Sequence, residues 1–338
     1  MKMGKIPVNV LKRTIIKNLE EQNSYQKIEN FDLYSKAGVG ADAALLRLAV
    51  DEEIALSTNV YECPHSQFAA MAVYKAVNNI ASSFAIGRAI TVSFALPERF
   101  REIKLKEYME KILEAARECR VQVVAGDTKT YKGVSVPILT ITALGVKLPK
   151  DDNVKSEDDR IADCDLVLSK WIGMEGAYLL AREREEELLK RYPDSMIEAV
   201  KKLSQEMTVL REAATAGKSG VIAMHDLSEG GVLGALYEFA QCNHVGLEVD
   251  IKKIPVKQEI IEICEYYGCN PYALRSGGSL LMAAKNGTKL VDDLKSQGIC
   301  AAVIGRTTKS NDMVIYNDGE KRFLDRPQPD EIYGVLNG

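Results

Sequence analysis

Residues 121–130 read Val-Gln-Val-Val-Ala-Gly-Asp-Thr-Lys-Thr, a β-branched apolar run that stops on glycine and then offers a carboxylate, a hydroxyl and an ammonium. Such a run predicts a buried strand, with Gly126 turning the chain as it leaves the sheet. Polar groups just beyond a strand's carboxyl end are where open α/β sheets gather ligands, so Asp127 is the first candidate for a metal or phosphate contact. An Asx or ST turn, in which Asp127 and Thr128 bond their own backbone, accounts for the same residues with no ligand.

The chain around this stretch has 338 residues, too many for one ordinary core and enough for two domains. A net charge of -4 with acids and bases interspersed offers no basic face for nucleic acid. No apolar run is long enough to span a bilayer and the amino terminus shows no signal-peptide core, so no membrane role and a cytoplasmic location are expected. The 7 cysteines are scattered without a C-x-x-C pair, and the 3 histidines, His65, His225 and His244, are dispersed. Disulfides and a zinc centre are both unexpected, and the thiols read as small buried hydrophobes.

Periodicity predicts helices over 7–21, 66–83, 105–120, 175–184, 195–216, 232–242, 256–266 and 287–297, and strands over 44–50, 54–58, 91–96, 136–146, 165–169, 221–224, 246–250, 279–284 and 301–305. The first two strands, joined at Asp51-Glu52-Glu53, suggest an antiparallel hairpin. The charged, proline-marked run from Pro149 to Asp159 is nearly free of apolar residues and is the best linker candidate. It divides the chain into domains 1–150 and 151–338.

Polar clusters recur beside these elements. Gly38-Val39-Gly40-Ala41-Asp42 is a glycine-punctuated turn, Ser57-Thr58-Asn59 closes a predicted strand, and Asn78-Asn79 interrupts a helix that otherwise favours alanine. Gly217-Lys218-Ser219 has the look of a P-loop's end, but it follows a helix and Glu212 stands where that motif needs glycine, so it reads as a helix stop. His225-Asp226-Leu227-Ser228-Glu229-Gly230-Gly231 leads into a helix, with Ser228 a candidate cap and the glycines letting a ligand approach the helix's amino end. Asp42, Asn59, Asn79, Asp127 and Asp226 together form a set of hard oxygen ligands suited to Mg²⁺ carrying a polyphosphate.

In order and spacing, Gly-Val-Gly-Ala-Asp-Ala-Ala (38–44), Ser-Thr-Asn (57–59), Val-Asn-Asn-Ile (77–80), Ala-Gly-Asp-Thr-Lys (125–129), His-Asp-Leu-Ser-Glu-Gly-Gly-Val (225–232) and the stretch from Gly-Leu-Glu-Val-Asp to Ile-Pro-Val (246–256) resemble the AIR synthase (PurM-type) superfamily nearly end to end. The branch it looks nearest to is the hydrogenase-maturation HypE branch, or the AIR synthase-related proteins. The resemblance implies a two-domain α+β and α/β protein. Its PurM-like amino-terminal domain pairs strands with a second subunit in a dimeric β-barrel, and its carboxyl-terminal domain is PurM-like α/β. It implies ATP and Mg²⁺ bound between the domains, with Gly38, Gly40, Asp42, Thr58, Asn59, Asn79, Gly126, Asp127, Thr128, Lys129, Asp226, Gly230 and Gly231 at matching positions; Asp42, Asn59, Asn79, Asp127 and Asp226 are the implied metal ligands.

This chain departs from the family at several of those positions. Thr58-Asn59 stands for the family's Thr-Asp, Asn78-Asn79 for Asn-Asp, and Ala41-Asp42 often for Asp-Asp. An amide oxygen can ligate Mg²⁺ but brings no charge to phosphoryl transfer. The sequence closes on Pro329-Asp330-Glu331-Ile332-Tyr333-Gly334-Val335-Leu336-Asn337-Gly338 where the HypE branch ends Pro-Arg-Ile-Cys, so dehydration of a group carried on its own tail is not expected. The leading expectation is an ATP-binding, Mg²⁺-dependent phosphotransferase or ligase-like enzyme, a homodimer acting on an unidentified small substrate. A non-catalytic nucleotide- or partner-binding homologue is the alternative, and a thiamine-phosphate-kinase-like activity stands third.

Overall fold

The computed structural model describes residues 8–12, 31–33, 44–48, 53–147 and 161–337. The expected linker at 149–159, the glycine turn at 38–42 and most of the expected first helix lie outside them. Contacts divide the described chain into two compact units. One holds residues 31–33, 44–48 and 53–147, and the other holds 161–337 together with 8–12.

The amino-terminal unit is a six-stranded sheet in the order β1 (Phe31–Leu33), β2 (Ala44–Leu48), β3 (Glu53–Glu62), β6 (Ile138–Lys147), β4 (Ala85–Pro97), β5 (Gln122–Tyr131). The expected β2–β3 hairpin is present. All neighbours are antiparallel except β4 and β5, whose parallel pairing requires a crossover. A short helix, α1 (Val8–Leu11), belongs to the other unit; α2 (Ser66–Ser82) and α3 (Glu102–Glu118) belong to this one, and α3 supplies the crossover.

Alternation decides which face is covered. In β6, Leu139, Ile141 and Ala143 are buried while Thr140 and Thr142 are half-buried, and β4 alternates in the same way with Ile90, Val92, Phe94 and Leu96 inward. Those inward residues form the core with Ile80 of α2 and Ile112 of α3. Tyr74 and Tyr108 fix the helices by their polar ends, the Tyr74 hydroxyl donating to Glu118 Oε2 at 2.6 Å and the Tyr108 hydroxyl to the Cys63 carbonyl at 2.6 Å.

β5 differs from the strand expected at 121–130. It is an exposed strand that runs straight through Gly-Asp-Thr-Lys to Tyr131 and, among the described residues, is an edge paired with β4 alone. Gly126 makes no turn. It is needed because a Cβ there would run into the Val92 carbonyl oxygen of β4, and a register shift of one residue at Val124 lies just before it.

The carboxyl-terminal unit is a seven-stranded sheet in the order β13 (Glu320–Phe323), β12 (Met313–Asn317), β9 (Gly246–Asp250), β11 (Ala301–Thr308), β7 (Asp165–Ser169), β10 (Leu280–Ala284), β8 (Val221–Asp226), with only β9 and β12 parallel. Its helices are α4 (Met174–Glu183), α5 (Glu185–Leu188), α6 (Asp194–Lys201), α7 (Leu210–Lys218), α8 (Gly231–Asn243), α9 (Gln258–Tyr267), α10 (Gly287–Ser296) and α11 (Glu331–Asn337). Leu166, Leu168, Leu281, Ile304 and Val249 of the sheet pack on Leu236 and Phe239 of α8. The single helix expected over 195–216 is two, α6 and α7, with a 3₁₀ turn at Lys202–Glu206 and a break at 207–209. The buried side chains Met207 and Val209 supply the apolar spacing there without helical backbone.

Candidate functional site

In the amino-terminal unit the residues at issue sit on β3 and α2. The triplet Ser57-Thr58-Asn59 lies in the middle of β3 rather than at its end, because the strand continues through Val60, Tyr61 and Glu62. Ser57 and Asn59 therefore share the covered face, and Thr58 points to the open one, where its hydroxyl meets that of Thr142 at 3.0 Å. Asn79 reaches down from α2 to the same covered spot. Its amide donates to Ser57 Oγ at 3.0 Å and to Asn59 Oδ1 at 3.2 Å, and Asn59 donates to Ser57 Oγ at 3.2 Å. Two amides 20 residues apart in sequence thus meet on one hydroxyl, which explains a mid-helix asparagine that propensity disfavours.

Asp127, Thr128 and Lys129 are not part of that cluster. Asp127 lies beside Ser93, which lies beside Thr140, so its side chain belongs to the sheet's open face, whereas Asn59 is in register with the buried Ile141. Lys129 Nζ sits 2.8 Å from Asp127 Oδ2, and the Thr128 amide donates to Asp127 Oδ1 at 2.9 Å. The lysine's hydrogen bond holds the Asp127 carboxyl below the usual range and raises Lys129 in return. Both groups are solvent-exposed, so the pair adds little to stability. Gly126 serves the close approach to β4. Gly38, Gly40 and Asp42 lie outside the described residues.

In the carboxyl-terminal unit Asp226 ends β8, buried, in register with Leu280. Its neighbour His225 faces α8, with Nε2 3.4 Å from Glu238 Oε2. Gly230 and Gly231 turn the chain into α8 with φ of 83° and 61°. Gly231 admits no side chain, since a Cβ would come within 2.5 Å of the Tyr272 carbonyl oxygen and 2.7 Å of that of Leu274. Ser228 does not cap the helix through its hydroxyl; its carbonyl receives the Gly231 and Ser276 amides instead.

The helix's amino end, where a ligand anion is expected from sequence, is held by the chain's own carboxylate. The Gly230 amide donates to Asp330 Oδ2 at 2.7 Å, and Asp330 Oδ1 accepts from the Ile332 amide at 3.0 Å. Burial pushes the Asp330 carboxyl above its ordinary value, partly offset by Arg275 and these two amides. Arg275 in turn lies 2.7 Å from Glu229 Oε1 and 3.5 Å from Glu175 Oε1. Sequence reasoning missed Asp330, Arg275 and Glu175. Two signals point to them, the Ser-Gly-Gly turn after Arg275 and an aspartate just before the last helix.

No three His, Cys, Asp or Glu side chains gather as a metal site among the described residues. The Ser57–Asn59–Asn79 cluster is neutral and already bonded within itself, so it does not by itself fit a divalent cation.

The two units, each a mixed sheet with helices, match the two-domain PurM-like architecture. Residues 40–147 match the AIR synthase related protein, N-terminal domain, and residues 162–317 match the AIR synthase related protein, C-terminal domain; the chain belongs to this family. A putative hydrogenase expression/formation protein of Methanocaldococcus jannaschii is 28% identical over 97% of this chain and 96% of its own length. The carbamoyl dehydratase HypE of Escherichia coli is 26% identical over 84% of this chain and 85% of its own. A solved hydrogenase-maturation HypE in complex with ATP superposes with a TM-score of 0.69 over 97% of this chain and 99% of that one, at 19% identity, a likeness of fold.

Proposed function

We propose that this protein is a HypE-like, ATP-binding member of the AIR synthase-related family, a phosphotransferase or ligase-like enzyme acting on a small substrate, with Mg²⁺ arriving on the polyphosphate and held weakly by the protein. The ATP-binding reading is supported by the family match over both units, and the weak hold on Mg²⁺ by the meeting of Asn59 and Asn79 on Ser57, because it joins two positions at which the family resemblance expects acidic residues. A pair of carboxylates at this separation repel each other unless a cation lies between them. Two amides on a shared hydroxyl need no cation. Asp127, Asp226, Gly230 and Gly231 are proposed on the resemblance, and the domain division near residue 150 with it.

The same amides favour a second reading, a homologue that binds nucleotide or a partner without turnover. Calorimetric titration of ATP and ADP with Mg²⁺ is expected to show saturable binding; its absence ends the leading reading. ADP release well above that of an Asp127→Ala control ends the second. The double variant Asn59→Asp, Asn79→Asp is expected to bind Mg²⁺ about 10-fold more tightly or better than the unaltered chain, since two formal charges are added at hard oxygen ligands.

A homodimer is proposed through β5, which among the described residues pairs on one side only and leaves Val124 60% exposed, while Val60 of the open face is 61% exposed.

A further inference from the structure

Outside the site, one pair of nucleophiles is held together by backbone geometry. α9 ends on Gly268 with φ of 64°. The Cys269 amide donates back to the Cys264 carbonyl at 2.9 Å, and the Gly268 amide to the Glu265 carbonyl at 3.3 Å. These paired bonds are the Schellman closure, in which a residue in the last helical turn and the residue immediately after the left-handed glycine, here Cys264 and Cys269, bring their side chains into contact. That contact is ordinarily apolar, but here both members are cysteines. The two side chains therefore face each other across the closure, and both are buried.

We propose that Cys264 and Cys269 form a reversible disulfide at the end of α9, oxidised by hydroperoxides and reduced by small thiols. In the first step the Cys269 thiolate attacks the peroxide oxygen, breaking the O–O bond to give a sulfenic acid and hydroxide, which takes up a proton as water. In the second the Cys264 sulfur attacks the sulfenic sulfur, the S–O bond breaks, and the hydroxyl leaves as a second water with the Cys264 proton. Two thiols and one hydrogen peroxide thus yield one disulfide and two waters, with two electrons passed to the peroxide.

The order of attack follows from the pair's asymmetry. Cys269 is the more accessible, 9% exposed against 2%, and the neighbouring Cys264 holds its thiol below the ordinary value, while Cys269 and burial raise that of Cys264. The other buried thiols stand differently: burial pushes Cys119 up to about 12, Cys63 further, and raises Cys164 as well. The bridge would pin the start of the segment whose Tyr272 and Leu274 carbonyls press on Gly231.

The test uses the whole protein. After brief exposure of the native chain to hydrogen peroxide, free thiols are alkylated in denaturant and the chain is cut with trypsin. Both cysteines fall in the single peptide 258–275, between Lys257 and Arg275. The expected result is that this peptide resists alkylation and is lighter by about 2 Da, the loss of two hydrogens, and that dithiothreitol restores both alkylation sites. The exposed Cys242 and Cys300 serve as the comparison, alkylated throughout. A peptide carrying two alkyl groups, a sulfinic or sulfonic acid on Cys269, or a bridge from either residue to another cysteine overturns the proposal. Cys264→Ala is expected to stop oxidation of Cys269 at the sulfenic acid, trapped with dimedone, and its absence from that variant counts against the stated order of attack.

Discussion

Asp330 is one carboxylate tying the last segment of the chain to the amino end of α8, and it does so from a buried position. Its carboxyl is raised in the folded protein, chiefly by desolvation. Because the folded value lies above the unfolded one, its contribution is fully present below the ordinary carboxylate range and is lost as pH rises through the raised value. Hydrogen exchange of the amides in α11, corrected for intrinsic rate, is therefore expected to quicken as pH rises above the ordinary carboxylate range. The variant Asp330→Asn keeps an acceptor and cannot ionise, so its corrected rates are expected to stay flat; a slope like that of the unaltered chain would refute the assignment. Asn59 and Asn79 make the opposite choice, replacing charge by neutral groups that satisfy one another.

At the scale of elements, the end of β7 and the start of α7 are joined by a buried ion pair. Lys170, in left-handed backbone with φ of 55°, lies 2.8 Å from Glu212 Oε1 and donates to the carbonyls of Glu206 at 2.8 Å and Thr208 at 2.6 Å. Lys170→Met strands the Glu212 carboxylate in the interior and is expected to cost about 3–5 kcal/mol. The double change Lys170→Met, Glu212→Met removes both buried charges of this pair and is expected to cost less than the single one. Urea unfolding followed by Trp171, the single tryptophan of the chain and the next residue, reads both. This bond network also explains why 195–216 is not one helix: Lys170 takes the carbonyls of Glu206 and Thr208 that a continuous helix would use.

Elements with clean alternation or periodicity, such as β7 at 165–169, were legible in sequence to the residue. What was not legible is where polar groups face inward. Ser57 and Asn59 broke the apolar pattern of β3 and read as its end, though they are inward members of a strand four residues longer on that side than expected. The apolar run of β5 read as buried although it is an edge, since a sequence shows which residues are apolar and not how many neighbours a strand has. β12, Met-Val-Ile-Tyr-Asn, was missed because its short apolar run has no alternation, and β13 and α11 because they are short and mix polar and apolar residues without a period.

For the whole molecule, each unit has its own core, one around Ile112, Ile141 and Val92 and the other around Leu236, Phe239 and Leu281. Scanning calorimetry is expected to resolve two transitions, with Ile112→Ala lowering one and Phe239→Ala the other, each by about 2–5 kcal/mol. One transition moved equally by both variants would contradict this. Light scattering is expected to give a dimer, and Val124→Glu with Tyr131→Glu on β5 to give a monomer at micromolar concentration; a dimer that survives both changes places the contact elsewhere.

The bond between Gly230 and Asp330 closes a span of 100 residues. During synthesis, the first turn of α8 emerges from the ribosome long before its carboxylate does. That unit therefore cannot assume its final form piecemeal from the amino side, and nascent chains stalled ahead of residue 330 should carry a helix start still solvated by water.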